Sequence, residues 1–127
     1  MSRVLLAEDH EDNREMLMRR LSRVGFEVRG ACHGEDAVNQ AIDWKPDLIL
    51  MDVSMPIMSG LDATRLIRQK LGTNMRIIAL TAHAMNESRE ACLEAGCDAF
   101  ATKPIEWAHL LEEINRQITQ IKASHSA

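Results

Sequence analysis

The chain has 127 residues, 46% of them hydrophobic and 27% charged, enough for one domain with a real core. Its formal net charge of −4, with no block of lysine or arginine, argues against a nucleic-acid surface. No apolar run approaches the roughly 20 residues of a membrane span, and no signal peptide precedes Val4. The three cysteines, Cys32, Cys92 and Cys97, are odd in number and lack CxxC spacing. They read as reduced cytosolic thiols that pack as small hydrophobes.

Short apolar runs alternate with helical patterns along the chain. Arg3 to Ala7 is a first strand, followed at once by the acids Glu8 and Asp9. Asp12 with Glu15 three residues on reads as a helix-starting capping pair. Met16, Leu17, Leu21 and Val24 then mark one helical face, and Gly25 fits the stop. Phe26 to Ala31 is a second strand, alternating and nearer the sheet edge. Ala37, Val38, Ala41 and Ile42 predict a second helix, closed by Pro46. Asp47 to Asp52 is a third strand whose apolar run, Leu48 to Met51, reads as buried on both faces. It stops at a carboxylate, and a loop with Pro56 and Gly60 turns the chain away. Leu66, Ile67 and Leu71 stripe a third helix that Gly72 ends.

Arg76 to Thr81 repeats the fully buried strand pattern. A thinly apolar helix follows from about Asn86 to Ala95, carrying only Met85, Cys92 and Leu93 as sizeable apolar residues. Gly96 ends it, and Asp98 to Thr102 forms a fifth strand that leads into Lys103-Pro104. The last helix is the best patterned, with Trp107, Leu110, Leu111, Ile114, Ile118 and Ile121 at helical spacing. That stripe suits packing on the sheet or a dimer seam. Residues 1–122 read as one domain and 123–127 as a polar, frayed tail.

Five βα units of this length predict a parallel sheet with helices on both faces. Right-handed crossovers then bring every strand's carboxyl end to one edge, where open α/β sheets place their chemistry. The residues leaving the strands there are Glu8 and Asp9, then Asp52, Thr81 and Lys103. Such a set suits phosphoryl transfer to a carboxylate, with Asp52 as the nucleophile. Converging carboxylates repel one another unless a hard cation sits among them, and magnesium takes oxygen ligands of this kind. Without metal, at least one carboxyl should titrate above its usual range. Lys103 would pair with phosphoryl oxygens and Thr81 would offer a hydroxyl donor. No GxxxxGK[ST] loop and no GxGxxG after the first strand points to a nucleotide.

The segments Leu5-Leu6-Ala7-Glu8-Asp9, Leu50-Met51-Asp52-Val53-Ser54-Met55-Pro56, Gly60, Leu80-Thr81-Ala82 and Lys103-Pro104 together resemble a two-component response-regulator receiver domain. The resemblance runs from residue 3 to about 121. It implies a flavodoxin-like (βα)5 fold with strand order 2-1-3-4-5. It also implies that Asp52 takes a phosphoryl group from the histidine of a histidine kinase or phosphotransfer protein, so that the chain is a cytoplasmic signalling domain rather than an enzyme. Asp9, Asp52 and the Ser54 main-chain carbonyl would bind magnesium directly, and Glu8 through water. Thr81 becomes the switch hydroxyl, Phe100 the switch aromatic and Lys103 the paired ammonium. Ser54 and His83, each two residues past a site residue, fall where the family tunes the phosphate's lifetime; His83 reads equally as an exposed loop histidine. Glu8 replaces the aspartate many members carry.

Two rivals stand beside this reading. A magnesium-dependent aspartyl-phosphate phosphatase commonly has a second acid two residues on, where this chain has Ser54. A degenerate receiver kept only for binding would not retain every phosphorylation residue. The segment Thr81-Ala82-His83-Ala84-Met85 resembles receivers of hybrid kinases and phosphorelays, and a stand-alone regulator fits as well. The expected state is a monomer or a weak phosphorylation-dependent dimer, with no output domain after the last helix.

Overall fold

The third predicted strand sets the architecture. Leu48–Asp52 forms β3 and is buried at all five positions, as a strand covered on both faces must be. The computed structural model describes residues 2–82 and 86–126. Among them β1 (Arg3–Ala7), β2 (Glu27–Ala31), β3, β4 (Arg76–Thr81) and β5 (Ala99–Thr102) form one parallel sheet in the order 2-1-3-4-5. The intervening helices are α1 (Glu11–Arg23), α2 (Gly34–Trp44), α3 (Gly60–Leu71), α4 (Asn86–Ala95) and α5 (Trp107–Ser126). Edge strand β2 alternates exposed and half-buried residues, as its sequence predicts.

Successive side chains of a strand point to opposite faces, so each central strand feeds two cores. Leu5, Ile49, Met51, Ile77 and Ala79 pack with Ala37, Val38, Ala41, Ala63, Ile67 and Cys92 under α2, α3 and α4. Val4, Leu6, Leu48, Leu50, Ile78 and Leu80 pack with Leu17 and Leu21 of α1 and with Leu110, Ile114 and Ile118 of α5. Leu110, Ile114 and Ile118 of the α5 stripe thus pack on the sheet. Cys92 and Cys97 are buried free thiols and Cys32 is an exposed one. Burial pushes the Cys97 thiol up to about 12, which keeps it protonated and inert.

Several expectations need correction. α1 is not capped by Asp12 and Glu15; it begins at Glu11 behind His10, which makes no side-chain cap bond, and Asp12 lies inside the first turn. Only Glu8, Asp9 and His10 separate β1 from α1, too short a link for a capping residue at Asp12. Met16, Val24 and Ile42 are exposed, because each helix buries only the middle of its stripe, Leu17 with Leu21 or Val38 with Ala41. The second helix does end where Pro46 requires, with Lys45 as its left-handed C-cap; its last residue, buried Trp44, has its ring 4.8 Å from the Arg29 guanidinium and 5.6 Å from that of Arg3. β3 and β5 each start one residue later than their patterns suggest. Asp47 and Asp98 sit just before them, accepting the backbone N–H groups of Arg3 and Ile77 at 2.8 Å. α5 runs on to Ser126, through the segment expected to be a frayed tail. None of the described helices is long and apolar enough to cross a membrane.

Candidate functional site at the carboxyl edge of the sheet

Pairing brings the site together before any side chain is considered. Ala7 lies beside Met51, so the next residues, Glu8 and Asp52, emerge side by side. Glu8 N–H donates to the Ala31 carbonyl at 3.0 Å, which ties the end of β1 to β2. Lys103 N–H donates to the Thr81 carbonyl at 2.7 Å, which carries the β4–β5 pairing one residue past the strand and delivers the lysine to the same edge. Asp52 continues the face of Leu48 and Leu50, toward α1 and α5. By the same alternation Thr81 continues the face of Ala79, where Phe100 also packs. The expected residues thus fall into two groups on opposite faces of the sheet. Glu8, Asp52 and Lys103 meet one another, whereas Thr81 and Phe100 share the other side.

Both Asp52 oxygens are held. Oδ1 accepts the Ser54 N–H at 3.0 Å, and Oδ2 accepts Lys103 Nζ at 2.7 Å. The same ammonium lies 3.5 Å from Glu8 Oε2, and His10 N–H donates to Glu8 Oε1 at 3.3 Å. Glu8 and Asp52 are 1% and 2% exposed, so their charges interact through protein rather than through water. Burial, and then the hydrogen bond and charge of Asp52, raise the Glu8 carboxyl above its ordinary value despite Lys103. Burial alone would lower the Lys103 ammonium; its bond to Asp52 and the two negative charges outweigh that and raise it.

Asp9 is exposed, and Glu8, Asp9 and Asp52 offer oxygens that all lie within 4.8 Å of one another. Three carboxylates against one ammonium leave negative charge over. Oxygen-only donors with one member open to solvent fit a hard divalent cation that keeps several of its own waters. The donor set therefore fits magnesium.

Thr81 is 5% exposed at the end of β4. Phe100 is half-buried against the α4 side of the core, with the Arg89 guanidinium 5.5 Å from its ring centre. Ser54 is exposed and meets Asp52 through its backbone N–H. His83 lies outside the described residues. The structure adds two supports that the sequence reading missed, Arg14 and a cleft, and a reason for Gly60, which the sequence had marked only as a turn and motif residue. Arg14 donates from α1 to the Glu8 carbonyl at 2.9 Å. Gly60 packs so closely that a β-carbon there would fall 2.0 Å from the Asp52 carbonyl oxygen. A cleft of about 530 Å³ opens beside Glu8 and Lys103, walled by Asn13, Met16, Leu17, Leu80, Pro104 and Ile105. Asn13 and Arg14 sit one turn after the acids, a signal available from spacing alone.

Comparison with known proteins agrees with this geometry. A family model described as a response regulator receiver domain matches residues 4–115. The chain is 40% identical over 118 residues to hybrid signal transduction histidine kinase G of Dictyostelium discoideum, covering 90% of this chain and 3% of that protein. It is 38% identical over 102 residues to the sensor histidine kinase RcsC of Escherichia coli strain K12, covering 80% of this chain and 11% of RcsC. The chain thus spans only a small part of these relatives. Among solved structures it resembles the receiver domain of the sensor histidine kinase PA1611 from Pseudomonas aeruginosa PAO1, which has a magnesium ion coordinated in its active site cleft. That likeness has a TM-score of 0.85 at 37% identity and covers 93% of this chain and 98% of the other.

Proposed function

This chain belongs to the response regulator receiver domain family, and from that premise we propose that Asp52 accepts a phosphoryl group from a protein phosphohistidine. The observation that carries the proposal is the double grip on a buried Asp52. The Ser54 N–H fixes one carboxylate oxygen and Lys103 the other, beside Glu8 and Asp9. A carboxylate oriented in this way presents an oxygen lone pair in a fixed direction and, unlike a hydroxyl nucleophile, has no proton for a base to remove.

In the transfer, one Asp52 oxygen forms the new P–O bond while the P–N bond to the donor imidazole breaks. The bonding pair stays on that nitrogen, the other ring nitrogen keeps its proton, and the ring leaves neutral. Lys103 neutralises Asp52 beforehand and pairs with phosphoryl oxygens afterwards, and the Thr81 hydroxyl donates to another of them. Asp9, Asp52 and the Ser54 carbonyl would hold magnesium, with Glu8 acting through water; when bound, that ion neutralises the charge that builds on the phosphoryl oxygens. Attack of water on the acyl phosphate regenerates Asp52, at a rate tuned by the side chains of Ser54 and His83. The domain thereby assists only its own phosphorylation and dephosphorylation.

The output is conformational. Movement of Thr81 toward the phosphoryl group vacates space on the face it shares with Phe100, and rotation of Phe100 into it alters the surface formed by α4, β5 and α5. Relatives that are hybrid or sensor histidine kinases support a place in a phosphorelay, with a histidine kinase or phosphotransfer protein as donor. Phosphotransfer profiling tests this. The chain is incubated with each phosphohistidine protein of its source organism, and labelling at short times is compared. Preferential, rapid labelling by one donor is the expected result; uniform failure with every donor would sink the proposal.

A further inference from the structure

Between Asp52 and α3 the chain makes a turn that is costly in two independent ways. Met58 N–H donates to the Pro56 carbonyl at 2.7 Å, closing a three-residue turn around Ile57, whose φ is 71°. A γ-turn with positive φ at its centre is rare and strained, and a β-branched residue is the worst suited to occupy it. Ile57 is also 75% exposed, more than any other exposed large apolar residue among those described. Glycine or asparagine would relieve both costs.

The surroundings hold the turn in place. Gly60 N–H returns to the Val53 carbonyl at 3.0 Å, and Val53 N–H bonds the Leu80 carbonyl at 3.0 Å, so the loop closes back on the sheet edge. Gly34 at the start of α2 approaches so closely that a β-carbon there would fall 2.2 Å from the Met58 carbonyl oxygen. Met58 and Met55 pack into the core on that side, while Ile57 between them points away from it. Packing over-determines the loop, and its product is one aliphatic side chain held out in water on the loop that follows Asp52. Strain maintained in this way marks a functional surface.

We infer that Ile57 is a contact residue for the protein that presents the phosphohistidine, and that it helps to set which donor is accepted. The inference rests on the proposed role of Asp52. Because Asp52 is 2% exposed, a donor imidazole that delivers phosphorus to its oxygen must press its own surface onto the rim of the site. The loop that carries Ile57 leaves that edge at Val53 and returns to it at Gly60, which keeps the turn on the side of the molecule a donor must approach. The complementary feature on the donor is an apolar patch flanking its histidine. A small phosphodonor presents no such surface and has no use for Ile57.

The test compares wild type with Ile57→Asn and Ile57→Met, using phosphoramidate and then the fastest protein donor found by profiling. Labelling of Asp52 by phosphoramidate should stay within twofold for all three. With the protein donor, Ile57→Asn should raise KM about tenfold or more, the scale expected when one buried isoleucine is lost from an interface, with kcat unchanged. Ile57→Met should restore most of the affinity, and the Tm of Ile57→Asn should equal or exceed that of wild type. An unchanged KM would overturn the inference. So would a parallel loss of phosphoramidate labelling or a lower Tm, since either makes Ile57 a structural support. Failure of wild type to label with phosphoramidate would instead remove the premise about Asp52.

Discussion

Lys103→Met removes the ammonium shared by Asp52 and Glu8 and keeps most of the aliphatic stem. The surviving acids are 1% and 2% exposed, so water does not replace the lost partner. Breaking a buried pair by deleting one member costs about 3–5 kcal/mol, and the 29% exposure of the Lys103 side chain moderates that to about 2–3 kcal/mol. A ceiling also applies, because the cluster can take a proton from solvent. From a usual aspartate value of about 3.9, protonation at pH 7 costs about 4 kcal/mol, but at pH 5 only about 1.5 kcal/mol. Equilibrium melts in EDTA should therefore show Tm falling by about 8–12 °C at pH 7, and by no more than about 6 °C at pH 5. Magnesium supplies the missing positive charge, so its stabilising effect should be larger in the variant. For wild type that effect is about 2.7 kcal/mol at a hundredfold excess over the dissociation constant. Coincident melts at pH 7, or a cost independent of pH, would refute the claim that these charges form one buried cluster.

Three other perturbations probe separate links. Gly60→Ala should cost about 1–3 kcal/mol in denaturant titrations, because its β-carbon meets the Asp52 carbonyl at 2.0 Å; a gain in stability, as expected of an unhindered helical glycine, would show that the close approach is not maintained. Burial raises Glu8 above 4.5, so its folded state holds a proton more tightly than the unfolded chain. That contribution is fully present below the unfolded value and is lost as pH rises through the folded one. Glu8→Gln should accordingly gain Tm relative to wild type between pH 4 and pH 7, and a pH-independent difference would contradict this origin. Thr81→Ala should accept phosphate and yet bind a phosphorylation-dependent partner about tenfold more weakly, the scale of one lost charge-assisted hydrogen bond; equal affinity, measured by titration calorimetry on both phosphorylated proteins, would exclude the hydroxyl from the switch.

Much of this architecture was legible because parallel strands buried on both faces leave continuous apolar runs. Leu48 to Met51 and Ile77 to Leu80 are such runs, and acids or a threonine at their ends locate the functional edge. Asp52 and Lys103 also lie where family motifs place them, so their meeting at 2.7 Å follows from topology. Capping was harder to read. His33 caps α2 by accepting the Asp36 N–H at its ring nitrogen, and histidine is not a usual residue at that position. Helix stripes overstate burial at their flanks, hence the exposure of Met16 and Val24. The turn at Ile57 left no local signal, because its positive φ is imposed by packing at Gly34 and Gly60 rather than by a glycine at the turn itself. The division of the site between two faces could have been counted from strand alternation, from Leu50 to Asp52 and from Ala79 to Thr81.

Chemical trapping reveals whether Asp52 is the phosphoacceptor. The protein is incubated with acetyl phosphate and magnesium, reduced with borohydride to convert any acyl phosphate into a stable alcohol, digested, and mapped by mass spectrometry. Conversion is expected at Asp52 alone, at close to one site per chain, dependent on magnesium and absent from Asp52→Asn. Conversion at another carboxylate in the wild type, or undiminished labelling of Asp52→Asn, would contradict that role.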